Sequence, residues 1–232
     1  MTSPLTSLGL TIPVIAAPMS GGPTTTAMVV AAAHAGGLGF VAAGYKTPQA
    51  VAAEISAVRA AGVPFGVNLF APNPVPVTAD AYARYADALA PEADRFGITL
   101  PREPIENDDQ FGAKIDLLLA EPVPVASFTF GIPDTAMIRD LRRTGTVVVQ
   151  TVTSTAEAEE AAAAGVDMLA VQSHVAGGHS ATLHPQRAPE TLDLGQLVRA
   201  VIDTTELPVI AAGGLSTAAD VAGVVRAGAA AA

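Results

Sequence analysis

The stretch VVVQTVTSTAEAEEAAAAGVDMLAVQS, residues 147–173, contains one complete repeating unit of the chain. It begins with VVVQTV and ends with MLAVQS, two short apolar runs typical of strands that are buried on both faces of a parallel sheet. Between them, Ser154 and Glu157 match a capping box at the start of an Ala-rich segment, and Gly165 follows where a helix C-cap favours glycine. The stretch therefore predicts a strand, a helix and a second, parallel strand.

Similar apolar runs, each bounded by Gly or Pro, recur along the chain. Helix signals lie between most of them, and in a longer excursion over 71–123 the segment 78–96 is predicted to be helical. The terminal AGAAAA predicts the start of an eighth strand. The five further runs are PVIAAPM (13–19), LGFVAAG (38–44), PFGVNLF (64–70), PVASFTF (124–130) and PVIAAGG (208–214).

Serial strand–helix units form a parallel sheet that is either open and doubly wound or closed into a barrel. We favour the barrel, because no shift in composition divides the chain and no GxGxxG follows the first predicted strand. The prediction is one α/β domain over residues 1–232, a (β/α)8 TIM barrel in which the chain ends at the start of the eighth strand. We expect the polypeptide of the gene to continue, and a barrel short of one strand to expose two sheet edges.

Composition restricts the classes of partner. The chain has 12 basic and 22 acidic residues and a formal net charge of −10, which argues against nucleic acid and anionic membranes as partners. It has no cysteine, so disulfides and thiolate metal sites are excluded. The N-terminus lacks a basic signal-peptide region, and no apolar run is long enough to span a membrane. We expect a soluble cytoplasmic protein with a small-molecule partner, and a homo-oligomer remains open.

Three amide side chains, Asn68, Gln150 and Gln172, stand near the carboxyl ends of predicted strands, where a barrel carries its active site. An unpaired polar group buried in such a strand costs about 1–3 kcal/mol. Hydrogen bonds to neighbouring loops would explain each amide alone, whereas the three together favour a shared polar cofactor. Met19 stands at the same edge, at the end of the first run.

Paired glycines stand at the same edge, Gly177–Gly178 in AGGH and Gly213–Gly214 in AAGGLST. Such a pair permits either a tight turn or a close approach of the backbone to a ligand. The second pair precedes a predicted helix N-terminus at residues 216–217, whose free N–H groups could bind a phosphate.

The segments IAAPMSGG, GVNLF, VQ…AGGH and PVIAAGGLS, in this order and at these intervals, resemble the nitronate monooxygenase family, formerly called 2-nitropropane dioxygenases. Its members are FMN-dependent TIM-barrel enzymes, and the resemblance covers nearly the whole chain. It implies oxidation of alkyl nitronates by O2 to a carbonyl compound and nitrite. It also implies that FMN is bound by Asn68, Gln172, Gly177 and Gly214. To these candidate FMN-binding residues we add Gln150, Met19, Gly178 and Gly213.

The chain departs from the family pattern at Val175, where the family has an acid. The family's Gln-x-Gly-Thr segment, which grips the FMN phosphate, should begin just beyond Ala232. We therefore expect residues 1–232 alone to hold FMN poorly.

The segment VQSHVAGGHSATLHP holds three of the four histidines. Their spacing of five and five residues matches no common zinc pattern and no acid lies between them, so we expect no metal. The family motif assigns catalysis to His179, which would orient a nitronate or take a proton from the carbon of a neutral nitroalkane. We expect His174 to line the pocket and His184 to be solvated.

Three alternatives remain at this stage. The first is an FMN-dependent NAD(P)H reductase acting on an enoyl thioester or a quinone, and the second is a flavin-binding protein without turnover. The third is a flavin-free aldolase or isomerase. The third alternative lacks a Schiff-base lysine at the strand ends, where Lys46 is the nearest candidate, and it lacks an acidic pair.

Overall fold

The computed structural model describes residues 3–73 and 75–232, which contain seven strands and eight α-helices after a short 3-10 helix, Pro4–Leu8. The strands are β1 (Ile15–Ala16), β2 (Leu38–Ala42), β3 (Phe65–Phe70), β4 (Val125–Thr129), β5 (Val147–Val152), β6 (Met168–Gln172) and β7 (Val209–Ala212). The helices are α1 (Thr26–His34), α2 (Pro48–Ala60), α3 (Ala79–Phe96), α4 (Phe111–Ala120), α5 (Thr135–Arg143), α6 (Thr155–Ala164), α7 (Leu194–Thr205) and α8 (Ala218–Arg226).

Each strand lies within one of the seven predicted apolar runs, and α3 confirms the helix predicted over 78–96. Helix α4 lies in the same excursion and was not predicted from the sequence. The strands form one sheet in the order β1 to β7, and every neighbouring pair is parallel. This sequential order confirms the predicted barrel, because an open doubly wound sheet would have a changed strand order.

The two edges of this sheet are joined by the last residues of the chain. On the β7 side, the N–H of Ala230 donates to the carbonyl of Val209 at 2.7 Å. On the β1 side, the N–H of Ile15 donates to the carbonyl of Ala232 at 2.7 Å. The predicted start of an eighth strand is therefore confirmed, and the expectation of two exposed edges is wrong where this segment pairs with both.

Apolar side chains fill two layers. One cluster lies inside the barrel and includes the N-terminal Leu5, whereas the other lies between the strands and the helices. Side chains alternate between the two faces of a strand, so membership of one cluster or the other shows whether a strand residue points into the barrel or towards the helices. The inner cluster contains Leu5, Leu38, Phe40, Val125, Val149, Met168, Ile210 and Ala231.

The starts of α8 and α6 differ in how they are capped. Thr217 and Asp220 form a complete capping box on α8. At α6, the hydroxyl of Ser154 accepts from the N–H of Glu157 at 3.2 Å, but the Glu157 side chain turns away from Ser154 and binds Thr153 instead. Only half of that predicted box is formed. Across the described residues, no helix is both long and apolar enough to cross a membrane.

Candidate active site

Asn68 of β3 points into the mouth of the barrel, at the carboxyl ends of the strands. It is 5% exposed, and its Nδ2 donates to the hydroxyls of Ser127 at 2.9 Å and Thr129 at 3.1 Å. No described residue donates to Oδ1, and this oxygen is accessible to solvent. Asn68 therefore presents an acceptor to the mouth, above the apolar interior formed by Val149 and Met168.

Gln172 ends β6 on the same interior face. Its Nε2 donates to the carbonyl of His179 at 3.2 Å, and its Oε1 accepts from the N–H of Ala181 at 2.7 Å. The amide thus binds loop backbone, which is the simpler of the two explanations for a polar residue at this edge. It also fixes the backbone of the histidine loop, which we define as residues 173–184.

The structure does not bring Gln150 to the mouth. Gln150 pairs with Phe128 and Leu169, and both of these belong to the layer between strands and helices. Its side chain is fully buried there, with Nε2 donating to the carbonyl of Thr151 at 3.0 Å. We therefore remove Gln150 from the candidate cofactor-binding residues, since a shift of one residue along a strand moves a side chain to the opposite face. The adjacent Thr151 faces the interior.

The two glycine pairs differ in their surroundings. A Cβ on Gly213 would lie 2.7 Å from the Cβ of Ala176, and one on Gly214 would lie 2.7 Å from Cγ2 of Val175. This pair is therefore explained by close packing against the histidine loop. Around Gly177–Gly178, in contrast, a Cβ would have no neighbour within 4 Å among the described residues. The first pair leaves open space at the mouth.

The start of α8 is already occupied by a carboxylate. The N–H groups of Ser216 and Thr217 donate to Oδ2 of Asp220 at 3.0 and 2.8 Å. The Ser216 N–H, followed by the hydroxyl and N–H of Thr217, lowers the pKa of the Asp220 carboxyl below its ordinary value of 3.8. The prediction of free N–H groups at 216–217 is therefore wrong, because a phosphate there would compete with Asp220.

His179 lies exposed in the histidine loop and faces a row of aromatic rings. Its ring lies edge-to-face on Phe130, with centroids 6.0 Å apart. The ring centroids of Phe130 and Phe70 lie 4.8 Å apart, and those of Phe70 and Tyr45 lie 5.2 Å apart. Tyr45, Phe70 and Phe130 are named the aromatic row below.

The aromatic row was not predicted from the sequence, although each of its members ends or follows a predicted strand run. Phe130 and Tyr45 have φ values of +77° and +64°. Bulky residues rarely adopt this left-handed conformation, and such strain is concentrated at functional sites. A polar rim, a histidine and an apolar wall therefore meet at one mouth.

The remaining candidates lie around this mouth without sharing in its contacts. Met19 is 43% exposed after β1, and His174 is exposed at the start of the histidine loop. His184 is half-buried against Glu160, with 2.7 Å between Nε2 and Oε1, so it is not the solvated residue that we expected. In the ranges 3–73 and 75–232, no three histidine or acidic side chains are grouped as metal ligands would be. Lys46 is paired with Glu54 at 2.6 Å.

Taken together, a parallel barrel with amides, open glycines and a loop histidine at the carboxyl ends of its strands defines a (β/α)8-type barrel protein with a candidate site at that end. A sequence model of the nitronate monooxygenase family matches residues 2–232. The chain belongs to the nitronate monooxygenase family.

Individual relatives agree with this assignment. A probable nitronate monooxygenase from Staphylococcus aureus (strain MRSA252) is 34% identical over 210 residues, which cover 90% of this chain and 59% of the relative. Among solved structures, a nitroalkane oxidase from Streptomyces ansochromogenes is 40% identical with a TM-score of 0.87, covering 99% of this chain and 66% of that one. FabK from Thermotoga maritima is 27% identical with a TM-score of 0.71, covering 100% and 60% respectively. The chain thus spans less than two thirds of the length of these relatives.

Proposed function

We propose that this chain is the barrel of an FMN-dependent enzyme that oxidises alkyl nitronates, and neutral nitroalkanes after deprotonation, with O2 to a carbonyl compound and nitrite. The observation that carries the proposal is the position of His179, which is exposed at the mouth beside both a polar rim and the aromatic row. Membership of the nitronate monooxygenase family supports the same chemistry.

The residues at the mouth fit a flat ring with polar edges. Asn68 offers Oδ1 as an acceptor for an N–H group, and Gln172 retains a second amide hydrogen and a second lone pair beyond its two loop contacts. The open space beside Gly177–Gly178 would let the ring approach the backbone. Met19 and the backbone of Gly213–Gly214 complete the proposed FMN-binding set. When bound, FMN supplies the two-electron chemistry that links substrate oxidation to O2.

His179 is the proposed proton-transfer group. A neutral ring nitrogen could take the proton from the carbon that bears the nitro group, and a protonated ring could donate a hydrogen bond to a nitronate oxygen. The exposed ring can reach a substrate at the mouth, while its backbone carbonyl is held by Gln172 at 3.2 Å. The ring of His179 can therefore turn towards a substrate at the mouth, while the hydrogen bond from Gln172 fixes the position of its backbone.

The aromatic row is proposed to bind the hydrocarbon part of the substrate. Its rings contact one another in sequence from Tyr45 to Phe130, and the last ring contacts His179. An alkyl chain lying along this wall would leave the polar nitro end beside the histidine. The substrate class that follows is a primary or secondary nitroalkane with an apolar chain.

The test begins with the purified full-length protein, because residues 1–232 alone are expected to hold FMN poorly. Flavin released on denaturation is identified by chromatography, and nitrite release and O2 uptake are then measured with a nitroalkane and with its preformed nitronate. We expect FMN and one nitrite per substrate oxidised. A colourless protein that cannot be reconstituted with FMN, or a flavin-containing protein inert to both substrates, overturns the proposal. Rapid anaerobic bleaching by NADH without nitrite release would assign the chain to the reductase alternative.

A further inference from the structure

Glu157, in the first turn of α6, is 2% exposed and accepts four hydrogen bonds through its carboxylate. Oε2 accepts from the N–H and the hydroxyl of Thr153 at 2.6 and 2.9 Å. Oε1 accepts from the hydroxyl of Thr182 at 2.6 Å and from the N–H of Leu183 at 2.8 Å. The ion pairs formed among the described residues do not include Glu157. These donors, rather than a cation, therefore offset the cost of burying the carboxylate.

The two oxygens of Glu157 bind different parts of the chain. Thr153 joins β5 to α6, whereas Thr182 and Leu183 lie at the end of the histidine loop. The carboxylate is thus a bridge between a rigid strand–helix junction and the loop that carries His179. A helix cap would need only the Thr153 side of this arrangement.

Other contacts fix the same end of the loop. Gln172 accepts from the N–H of Ala181 at 2.7 Å, and Nδ2 of Asn73 donates to the carbonyl of Leu183 at 3.1 Å. Nδ2 of Asn73 also donates to the carbonyl of Phe130 at 2.8 Å, so the aromatic row and the loop share one anchor. The segment 181–183 is therefore held by three side chains.

The middle of the loop is open, whereas Val175 and Ala176 before it pack against Gly213 and Gly214. Gly177 and Gly178 are exposed, and a Cβ at either position would have no neighbour within 4 Å in the described part of the chain. The position of His179 therefore depends on the segments on either side of this open stretch and on the hydrogen bond from Gln172 to its carbonyl. On the C-terminal side, Glu157 supplies two of the hydrogen bonds that hold the loop.

We propose that Glu157 is a positioning residue for His179. It holds Thr182 and Leu183 against the β5–α6 junction and so fixes where the histidine enters the mouth. The consequence for turnover rests on the function proposed above, because a displacement of about 1 Å in a reacting group can lower the rate about 10²-fold. The holding itself is a property of the protein without substrate.

The direct test is Glu157→Gln, which keeps the size of the side chain but replaces one acceptor oxygen with an NH2 group that faces donors. The matched control is Glu159→Gln, an exposed glutamate two residues further along the same helix. Amide hydrogen exchange of Leu183 in the purified protein is the first readout. We expect exchange at least about 10-fold faster in Glu157→Gln and unchanged in Glu159→Gln. Equal protection of Leu183 in both variants and the wild type overturns the proposal.

Turnover supplies the second readout. With flavin content matched, Glu157→Gln should lower kcat on a nitroalkane about 10-fold or more and leave KM within about 3-fold, because the displaced group acts after binding. Faster exchange with unchanged kcat also overturns the proposal.

If Glu157→Gln does not fold, Thr182→Val and Thr182→Ser give the same comparison, since only serine keeps the hydroxyl that donates to Glu157. The proposal is supported if Thr182→Val shows faster exchange of Leu183 and lower kcat while Thr182→Ser resembles the wild type. It is overturned if the two variants have the same exchange rate and the same kcat. A wild type without nitrite release contradicts the proposed function alone, because the exchange of Leu183 needs no substrate.

Discussion

At the scale of residues, the chemistry proposed here depends on His179, whose ring makes one aromatic contact and is otherwise exposed. His179→Ala should lower turnover on a neutral nitroalkane about 10²- to 10⁴-fold, the range for losing a general base. The loss on a preformed nitronate should be smaller, because no carbon proton has to be removed. Nitrite release and O2 uptake measure both rates after flavin content has been checked.

Two other histidines serve as controls for that experiment. His34→Ala, at the exposed end of α1, should leave both rates unchanged. His174→Ala, at the start of the histidine loop, should change apparent affinity more than turnover. A fully active, flavin-loaded His179→Ala would show that another group performs the proton transfer.

Substitutions in the two glycine pairs distinguish a role in packing from a role in cofactor binding. Gly213→Ala should lower the free energy of unfolding by about 1–3 kcal/mol, because its φ is +96° and the added methyl group would lie 2.7 Å from Ala176. Gly177→Ala should leave stability nearly unchanged, since it meets no described neighbour within 4 Å, but should weaken FMN binding. Urea unfolding and FMN titration measure the two effects. Unchanged FMN affinity in Gly177→Ala would remove this glycine from the proposed cofactor site.

The aromatic row should determine which alkyl chains are accepted. Phe130→Ala removes the ring between Phe70 and His179, so a long-chain nitroalkane should lose affinity while nitroethane loses little. The expected rise in KM for the long-chain nitroalkane is about 10-fold. In free energy this is less than the roughly 1.5–3 kcal/mol gained by fully burying a side chain such as Phe. The ratio of kcat/KM values for the two substrates measures this effect. An equal loss of kcat/KM on both substrates would mean that Phe130 positions the histidine loop and does not bind the alkyl chain of the substrate.

At the scale of elements, the strands could be predicted from sequence because each is an apolar run bounded by Gly or Pro. The face of Gln150 could not, since an uninterrupted apolar run does not reveal which residues point inward. Local patterns also misassigned Glu157, which matches a capping box but binds Thr182 and Leu183, 25 and 26 residues further along. Contacts of that range depend on the closed barrel and leave no local pattern.

The capping box of α8 should make stability depend on pH. The pKa of Asp220 is lowered in the folded chain, so the unfolded chain binds the proton more readily. The stabilisation is therefore present above the unfolded pKa of about 3.8 and is lost as the pH falls through the lower folded pKa. Asp220→Asn should unfold at lower urea concentration than wild type at pH 7, and the difference should narrow as the pH falls below the unfolded pKa of about 3.8.

The control for this variant is Asp116→Asn, an exposed aspartate of α4. It should show no comparable change at either pH. A difference between Asp220→Asn and wild type that persists unchanged at low pH would mean that the carboxylate charge is not what stabilises the start of α8.

At the scale of the whole molecule, closure of the sheet depends on few hydrogen bonds. Residues 230–232 pair with β7 through Val209 and Ala211, with Ile15 of β1, and with Pro13 just before that strand. This segment also completes the inner apolar cluster, in which Ala231 is fully buried beside Ile210. Because the mouth is formed by strands from both halves of the sheet, closure at one end constrains the positions of Asn68 and Gln172 at the other.

Ala230→Pro tests this closure directly. Proline removes the N–H that donates to the carbonyl of Val209 at 2.7 Å, and Val209 is fully buried, so the carbonyl loses its partner without access to water. The free energy of unfolding should fall by about 1–3 kcal/mol, the cost of one unsatisfied buried group. Ala230→Ser keeps the N–H and a similar volume, and should stay near the wild type. The proline variant should also associate more readily in light scattering, since a freed strand edge can pair with another chain. Equal unfolding curves for the proline and serine variants would show that the barrel remains closed without this bond.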